Sequence, residues 1–285
     1  MSAAPQRGPK FPLRLDQLKP ASKRLVDGAE KQAPAAMRPT VTTPQPQPVH
    51  QKHNRSPSRA APAGLGLDSA DVRRQMVQRL RAAGLSSTAV LDALAAVPRH
   101  QFVDAGLVTQ AYEDTSLPIG HGQTISKPSV VARMIELLMA GANARDAGGL
   151  GRVLEIGTGC GYQAAVLSVL AHSVISVERL KPLHDKAREL LAPVRSSKLR
   201  LVYGDGMLGH PPNAPYDSII SAAGGDALPQ AWLEQLAVGG RLVSPVRQAD
   251  SVQQMLVVVD RTEQGYEHGV HETVNFVPLK SGLIA

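Results

Sequence analysis

Three glycines at alternating positions, Gly157, Gly159 and Gly161, form the stretch of this chain with the clearest chemical meaning. An apolar, β-branched run that contains one acid, Glu155, comes before them, and an alanine-rich segment follows. These features predict a strand, a turn whose backbone closely approaches a ligand, and a helix N-terminus. The dinucleotide fingerprint G-x-G-x-x-G does not fit, because Tyr162 stands at its last glycine position.

The observed pattern, E-x-G-x-G-x-G, resembles the first motif of S-adenosylmethionine (AdoMet) methyltransferases. AdoMet has no phosphates, and the resemblance implies that the loop packs its backbone against the methionine part. The turn also contains the only cysteine of the chain, Cys160. We interpret Cys160 as a small residue that fills space, since no motif pairs it with a base.

Two acids are predicted to stand at the ends of the next two strands. Glu178 lies 21 residues after Gly157, a distance at which an acid binds ribose, and its carboxylate can accept from both ribose hydroxyls. Asp205 could accept from the adenine amino group, with Gly206 allowing a tight bend beside the ring. Taken alone, Glu178 could be an exposed charge paired with a neighbouring Arg or Lys, and Asp205 an ordinary Asp-Gly turn. Their position at successive strand ends favours cofactor binding.

A second distinctive segment lies upstream of the glycine turn. Gly120 and Gly122 give a flexible turn, and Thr124 and Ser126 supply hydroxyls just before a helix that starts at Pro128. A helix N-terminus with free N–H groups and hydroxyls is a site for a carboxylate. The alternative is that Ser126 only caps the helix, and the two roles are compatible.

With this segment in view, the chain is similar to the protein-L-isoaspartate (D-aspartate) O-methyltransferases. The matching motifs occur in the family's order: GQTIS (Gly122–Ser126), VARMIELL (Val131–Leu138), VLEIGTGCGYQ (Val153–Gln163), SVERL (Ser176–Leu180), GDG (Gly204–Gly206) and FVPL (Phe276–Leu279). The resemblance covers about residues 75–285, and GQTIS joined to the cofactor motif is highly specific. The departures are Cys160, where Ser is usual, and a long basic segment at the start of the chain.

The resemblance implies methyl transfer from AdoMet to the free α-carboxylate of an L-isoaspartyl residue in a damaged protein or peptide. Such a carboxylate has a pKa of about 3.3–3.7 and is ionised at pH 7, so no general base is needed. Catalysis should come from alignment with the sulfonium methyl and from exclusion of water. The methyl ester can then close to a succinimide, which opens partly to normal aspartate. A different carboxylate acceptor, and activity on D-aspartyl residues, stay open.

The family's functional residues carry over onto matching positions of this chain. Ser126 is expected to be catalytic, by donating a hydrogen bond to a carboxylate oxygen, and Thr124, Ile125 and Ser126 are expected to bind substrate. The expected cofactor-binding residues are Glu155, Gly157, Thr158, Gly159, Glu178, Asp205 and Gly206. His121 is left open as a substrate contact. No metal is expected, because the histidines show no metal-ligand spacing.

Strands and helices alternate from Arg152 onwards, which predicts a doubly wound, Rossmann-like α/β sheet. The predicted strands are 152–156, 174–177, 199–203, 218–222, 240–246, 255–260 and 273–279, and the predicted helices are 71–83, 87–97, 128–140, 162–171, 181–191 and 228–236. The last two strands lack a helical crossover, so we expect an antiparallel edge hairpin with a turn at Gln264–Gly265.

Charge and proline are concentrated in residues 1–66, with 11 of the 22 prolines and 11 Lys and Arg against 3 Asp and Glu. The other residues carry 20 basic and 21 acidic side chains, so the net charge of +7 belongs to the first segment. We predict a disordered basic tail over 1–66 and a methyltransferase domain over 67–285. Within the domain we expect a helical substrate-side part at 67–150 and the Rossmann-like core at 151–285. Nucleic acid is not an expected partner of the domain, and the partner of the tail stays open.

A single cysteine excludes an internal disulfide and fits a reducing compartment. Residues 156–177 carry no formal charge, but the glycines, serines, Gln163 and His172 among them argue against a membrane span. We therefore expect a cytoplasmic monomer that has no membrane partner.

Overall fold

The computed structural model describes residues 70–194, 196–248 and 251–285. The predicted disordered tail at 1–66 and its boundary with the domain lie outside the described residues. None of the helices in the described ranges combines the length and apolar character needed to cross a membrane.

A seven-stranded sheet forms the centre of the described part. Its spatial order is β5 (Leu199–Tyr203), β4 (Ser173–Glu178), β3 (Arg152–Ile156), β6 (Tyr216–Ser221), β7 (Leu236–Arg247), β8 (Gln254–Thr262) and β9 (Gly265–Val274). The first five strands are parallel, and β8 and β9 are each antiparallel to their neighbours. This arrangement confirms the Rossmann-like sheet with an antiparallel edge hairpin.

Helices cover both faces of the sheet. They are α1 (Ala70–Ala82), α2 (Thr88–Ala96), α3 (Pro128–Met139), α4 (Ala142–Ala147), α5 (Tyr162–Leu170), α6 (Lys181–Leu191) and α7 (Gln230–Gln235). Successive strand residues point to opposite faces. Val153 accordingly packs in one apolar cluster with residues of α2, α3 and α5, whereas Leu154 packs in the other with Trp232 of α7. The continuous apolar strands follow from this burial on two sides.

The predicted strand at 273–279 is wrong. β9 starts at Gly265 directly after the turn and ends at Val274, and it is largely polar. None of the residues of β9 is fully buried, so this edge strand tolerates polar side chains. The more apolar run after it therefore gives the stronger strand signal in the sequence. That run, which begins at Phe276, crosses the ends of other strands instead, as described below.

The part at 67–150, predicted to be helical, contains more than helices in the described residues. Two short strands, β1 (Leu117–Gly120) and β2 (Gln123–Ile125), form an antiparallel hairpin just before α3. Sequence patterns did not reveal this hairpin, because its strands are too short for an alternating pattern to stand out. It carries the residues expected to bind the acceptor.

Candidate active site

A cavity of about 230 Å³ opens at the carboxyl ends of the central strands. Ile156 ends β3, Glu178 ends β4, and Ala222 follows β6, and all three line the cavity. The strand order reverses at this point, since β4 and β5 lie on one side of β3 and β6 lies on the other. Open α/β sheets bind their ligands at such a position.

The glycine turn forms one wall of this cavity. Gly157, Gly159 and Gly161 have φ angles of 89°, 56° and 91°, in the left-handed region that favours glycine. A Cβ atom at Gly159 would lie 3.1 Å from Cδ1 of Ile119, and one at Gly161 would lie 2.7 Å from Cδ1 of Leu191. The loop backbone therefore reaches this position only because it carries no side chains there, which suits a tightly packed cofactor.

Glu178 lies in the cavity wall and holds the glycine turn. Its Oε2 accepts a hydrogen bond from Gly159 N at 2.9 Å, and its Oε1 accepts from the N–H groups of Arg179 and Leu180 at 2.9 and 3.0 Å. The side chains of Arg179 and Lys181 bond elsewhere, so the pairing with a neighbouring cation that we considered is not observed. Each carboxylate oxygen has two acceptor sites, so Oε2 retains one that a ribose hydroxyl could use.

Glu155 lies behind the turn and outside the cavity wall. It is fully buried, and its Oε2 accepts a hydrogen bond of 2.5 Å from Ser176 Oγ. Ser176 Oγ is also 2.6 Å from Oγ1 of Thr158, which does line the cavity. Burial raises the pKa of Glu155 to about 8. Direct cofactor binding by Glu155 stays a prediction, and the contacts support an indirect part through Thr158.

Asp205 also lies outside the cavity wall. One carboxylate oxygen accepts from Met207 N at 2.9 Å, and the other accepts from Gly282 N at 2.6 Å. The neighbouring Gly206 lines the cavity, where a Cβ atom would lie 2.5 Å from Cγ2 of Ile156. Contact between Asp205 and adenine thus stays a prediction, and so does the place of Gly206 beside the adenine ring.

Residues 276–285, which we call the C-terminal strap, cross the carboxyl ends of three strands. The strap pairs with Gly224 after β6, its Gly282 donates to Asp205 after β5, and its Ile284 bonds to Arg179 and Lys181 after β4. Five strap residues line the cavity, namely Val277, Pro278, Leu279, Lys280 and Ile284. Sequence reasoning missed this wall, although FVPL at 276–279 belonged to the resemblance.

The β1–β2 hairpin forms another wall of the cavity. Gly120, His121 and Gly122 all have positive φ angles, of 97°, 53° and 67°. His121 lines the cavity and is exposed, so a substrate contact by His121 stays a prediction. Thr124 and Ser126 line both this cavity and a second one of about 360 Å³. The two hydroxyl residues therefore belong to the wall that the cavities share, together with Ala222 and Val277.

The hydroxyls of Thr124 and Ser126 are available to bind a ligand. Within the described ranges, neither Thr124 Oγ1 nor Ser126 Oγ forms a hydrogen bond. The capping role considered for Ser126 is not observed, because the N-cap of α3 is Lys127. Asp114 instead binds the start of α3, accepting from N and Oγ of Ser129 at 2.8 Å each. Ser126 is thus left free for another partner.

The second cavity, which we call the acceptor groove, lies between the hairpin, α3 and the chain that leaves β9. Its walls combine polar and apolar residues: Ser116, Thr124, Ser126, Lys127, Val130, Ala222, Thr273, Val274, Asn275, Phe276 and Val277.

Two further features limit the chemistry of the site. Cys160 lines the first cavity, and burial raises the pKa of its thiol to about 11, so it is a neutral thiol at pH 7. In the part of the chain that the structure describes, no group of three or more His, Cys, Asp or Glu residues could hold a metal ion. Where the two cavities share a wall, the polar side chains are the hydroxyls of Thr124 and Ser126, which suit an acceptor that is already ionised.

Known proteins share this sequence and fold. A profile of the protein-L-isoaspartate(D-aspartate) O-methyltransferase family matches residues 71–283. Proteins named protein-L-isoaspartate O-methyltransferase from Methylibium petroleiphilum and Leptothrix cholodnii are 58% and 57% identical over 283 residues, which cover 99% of this chain and 99% and 96% of theirs. A solved structure of that name matches with a TM-score of 0.66 at 28% identity, over 74% of this chain and 67% of its own. The chain therefore belongs to the protein-L-isoaspartate(D-aspartate) O-methyltransferase family.

Proposed function

We propose that this protein transfers a methyl group from AdoMet to the free α-carboxylate of L-isoaspartyl residues in proteins and peptides. The observation that carries the proposal is the position of Thr124 and Ser126 between the two cavities. A donor in the first cavity and an acceptor in the groove would meet along the wall that both cavities share, and Thr124 and Ser126 supply the hydroxyls of that wall. The family and the names of the two close relatives support the same reaction.

On the donor side, AdoMet supplies an electrophilic methyl group on a positively charged sulfur when it is bound. The glycine turn gives the methionine part a backbone surface, and Glu178 accepts from the ribose. Thr158 and Gly206 also line the cavity that would hold AdoMet. The strap covers the ends of β4, β5 and β6 and keeps water from the cavity, which helps a reaction in which opposite charges meet and cancel.

On the acceptor side, Ser126 holds one oxygen of the carboxylate by donating a hydrogen bond. Thr124 and the backbone around Ile125 fix its direction, so that the other oxygen points to the methyl group. A neutral hydroxyl holds the carboxylate and lowers its nucleophilicity less than a paired Arg would. No residue takes a proton, since the acceptor is ionised at neutral pH, with a pKa of about 3.3–3.7.

The damaged residue can arise in any sequence, so the groove has to recognise backbone more than side chains. The proposed partners are isoaspartyl-containing proteins and peptides. We also propose that the protein acts as a cytoplasmic monomer, and its single cysteine favours the cytoplasm. Cell fractionation tests the compartment, and sedimentation equilibrium tests the monomer, whose measured mass should not change with protein concentration.

The proposed reaction is tested with a pair of peptides that differ only in an isoaspartyl or aspartyl linkage. With isotopically labelled AdoMet, the isoaspartyl peptide should be methylated at least a hundredfold more efficiently, as measured by kcat/KM. Small carboxylic acids serve as competing acceptors. Equal labelling of both peptides, or efficient labelling of a small acid alone, would favour the alternative of a methyltransferase with another carboxylate acceptor.

A further inference from the structure

Arg99 is a buried cation that the proposed chemistry does not use. It follows α2 in a short 3-10 turn, Arg99–Phe102, and its exposed fraction is 0%. No carboxylate among the described residues forms a salt bridge with it, and burial lowers its pKa. A buried charge without such a partner disfavours folding, so a role in packing alone would be served better by an apolar side chain.

One side of the Arg99 guanidinium holds the segment that leads into the acceptor hairpin. Its Nε donates to the carbonyl of Ala111 at 2.8 Å, and its Nη2 donates to that of Thr115 at 3.4 Å. Between these two carbonyls lies Asp114, whose carboxylate binds Ser129 at the start of α3. Arg99 therefore anchors the chain immediately before β1 and, through Asp114, the helix that follows Ser126.

The other side of the guanidinium contacts the donor half of the site. Its central carbon lies 4.9 Å from the centre of the Tyr162 ring, within the range of a cation–π contact. Tyr162 is the first residue of α5, directly follows the glycine turn and lines the cofactor cavity. Phe102, from the same 3-10 turn as Arg99, packs edge-on against this ring at 5.7 Å.

We propose that Arg99 is a positioning residue that fixes the separation between the donor loop and the acceptor hairpin. It touches neither substrate, and it acts through Tyr162 on one side and through Ala111 and Thr115 on the other. Because the two halves of the site meet at the reacting atoms, a small change in their separation lowers the rate of transfer more than it lowers either binding affinity. This inference rests on the proposed function.

The test replaces Arg99 by Lys, which keeps the charge. The single ammonium group of a lysine cannot hold both carbonyls and also keep the contact with the Tyr162 ring. We expect Arg99→Lys to lower kcat on an isoaspartyl peptide at least tenfold, while the Kd of S-adenosylhomocysteine by calorimetry changes less than threefold. Arg99→Met, which also removes the charge, should lower kcat by at least as much.

The matched control is Arg241→Lys. The guanidinium of Arg241 binds Asp260 at 2.6 and 2.7 Å and the carbonyl of Leu137 at 2.9 Å, and it lines neither cavity. This variant should lower Tm and leave kcat unchanged. The proposal is overturned if Arg99→Lys keeps kcat within twofold of the wild type, or if its kcat falls only in step with cofactor affinity and Tm.

Amide hydrogen exchange gives a readout that does not depend on the acceptor. In folded Arg99→Lys, exchange should accelerate in residues 111–125 and at the start of α5, and stay unchanged in β7 and β8. Unchanged exchange in the first two regions would overturn the inference even if the wild type failed to methylate isoaspartyl peptides. That failure would by itself contradict only the proposed function.

Discussion

The Ser126 hydroxyl is the group on which the proposed acceptor chemistry depends most. It lines both cavities and has no hydrogen-bond partner in the described ranges, so its proton is available to a carboxylate. A hydrogen bond to a charged group contributes about 1.5–3 kcal/mol. We therefore expect Ser126→Ala to lower kcat/KM for an isoaspartyl peptide by about tenfold to a hundredfold.

Binding of S-adenosylhomocysteine to Ser126→Ala, measured by calorimetry, should match the wild type. Ser86→Ala is a suitable control, because Ser86 binds Glu136 and lines neither cavity. That control should keep full activity. A fully active Ser126→Ala enzyme would contradict the role given to Ser126.

Glu155 makes the stability of the domain depend on pH. Burial raises its folded-state pKa to about 8 from an ordinary value of 4.5. The folded state therefore keeps a proton that the unfolded chain has already lost between these two pH values, and stability falls as pH rises through this window. The slope is about 1.4 kcal/mol for each pH unit.

Glu155→Gln should remove this slope, because an amide does not titrate. Urea unfolding at several pH values between about 5 and 8 measures the effect as a flatter plot of the free energy of unfolding. Glu113→Gln, a change at an exposed position, should keep the wild-type slope. Parallel plots for Glu155→Gln and the wild type would show that Glu155 is not the group responsible.

Residue spacing predicted which residues lie near the cavity, but it did not predict which way every side chain points. The cavity is lined by Gly157, Gly159, Glu178, Thr124 and Ser126, because these residues lie at or just after strand ends or in or directly after the β1–β2 hairpin. The side chain of Glu155 does not line the cavity, because Glu155 lies inside β3 and is the register partner of Ser176 on β4. This pairing depends on how the strands align in the sheet. Arg99 was missed because its partners are backbone carbonyls, which leave no pattern in the sequence.

At the level of elements, the glycine turn and the β1–β2 hairpin touch each other. Gly159 has a φ of 56°, and a Cβ atom there would lie 3.1 Å from Cδ1 of Ile119 in β1. A left-handed conformation costs a residue with a side chain roughly 1–2 kcal/mol. We expect Gly159→Ala to raise the Kd of S-adenosylhomocysteine at least fivefold, as measured by calorimetry.

Gly106→Ala provides the control for this change. A Cβ atom at Gly106 would have no other atom within 4 Å, and this glycine is exposed in a 3-10 turn, so its variant should bind like the wild type. Unchanged affinity in Gly159→Ala would mean that the cofactor does not depend on the close approach of this turn.

The elements that sequence patterns revealed are the ones with a short apolar run or with apolar residues at helical spacing. β3 and β5 have the predicted bounds, and the bounds of α5 and α6 differ by one residue at most. The polar edge strand β9 and the short hairpin β1–β2 carry little periodic signal, so they were misplaced or missed. The C-terminal strap has no regular structure of its own, and contacts with three strand ends define its path.

Charge divides the whole molecule into two parts. Residues 1–66 carry a net charge of +8, whereas the remainder carries −1. The cavity, the acceptor groove and Arg99 all lie in the second part. We therefore expect deletion of residues 1–66 to leave kcat/KM for a short isoaspartyl peptide within twofold of the full chain, as measured by methyl transfer.

The same deletion should abolish any salt-dependent binding of the full chain to polyanions, because the basic side chains responsible would be gone. If polyanion binding persists with the same affinity and salt dependence, the binding site lies on the remainder of the chain. A large loss of peptide methylation would show that the first segment contributes to the site.

The whole fold brings a donor cavity and an acceptor groove together at two hydroxyls, so the site of methylation on one molecule is the most direct test. A single peptide that contains one isoaspartyl, one aspartyl and one glutamyl residue is incubated with labelled AdoMet and mapped by tandem mass spectrometry. We predict one methyl ester, on the isoaspartyl α-carboxylate, followed by succinimide and partial conversion to aspartate. A methyl group on the aspartyl or glutamyl side chain, with the isoaspartyl residue unmodified, would contradict the proposed reaction.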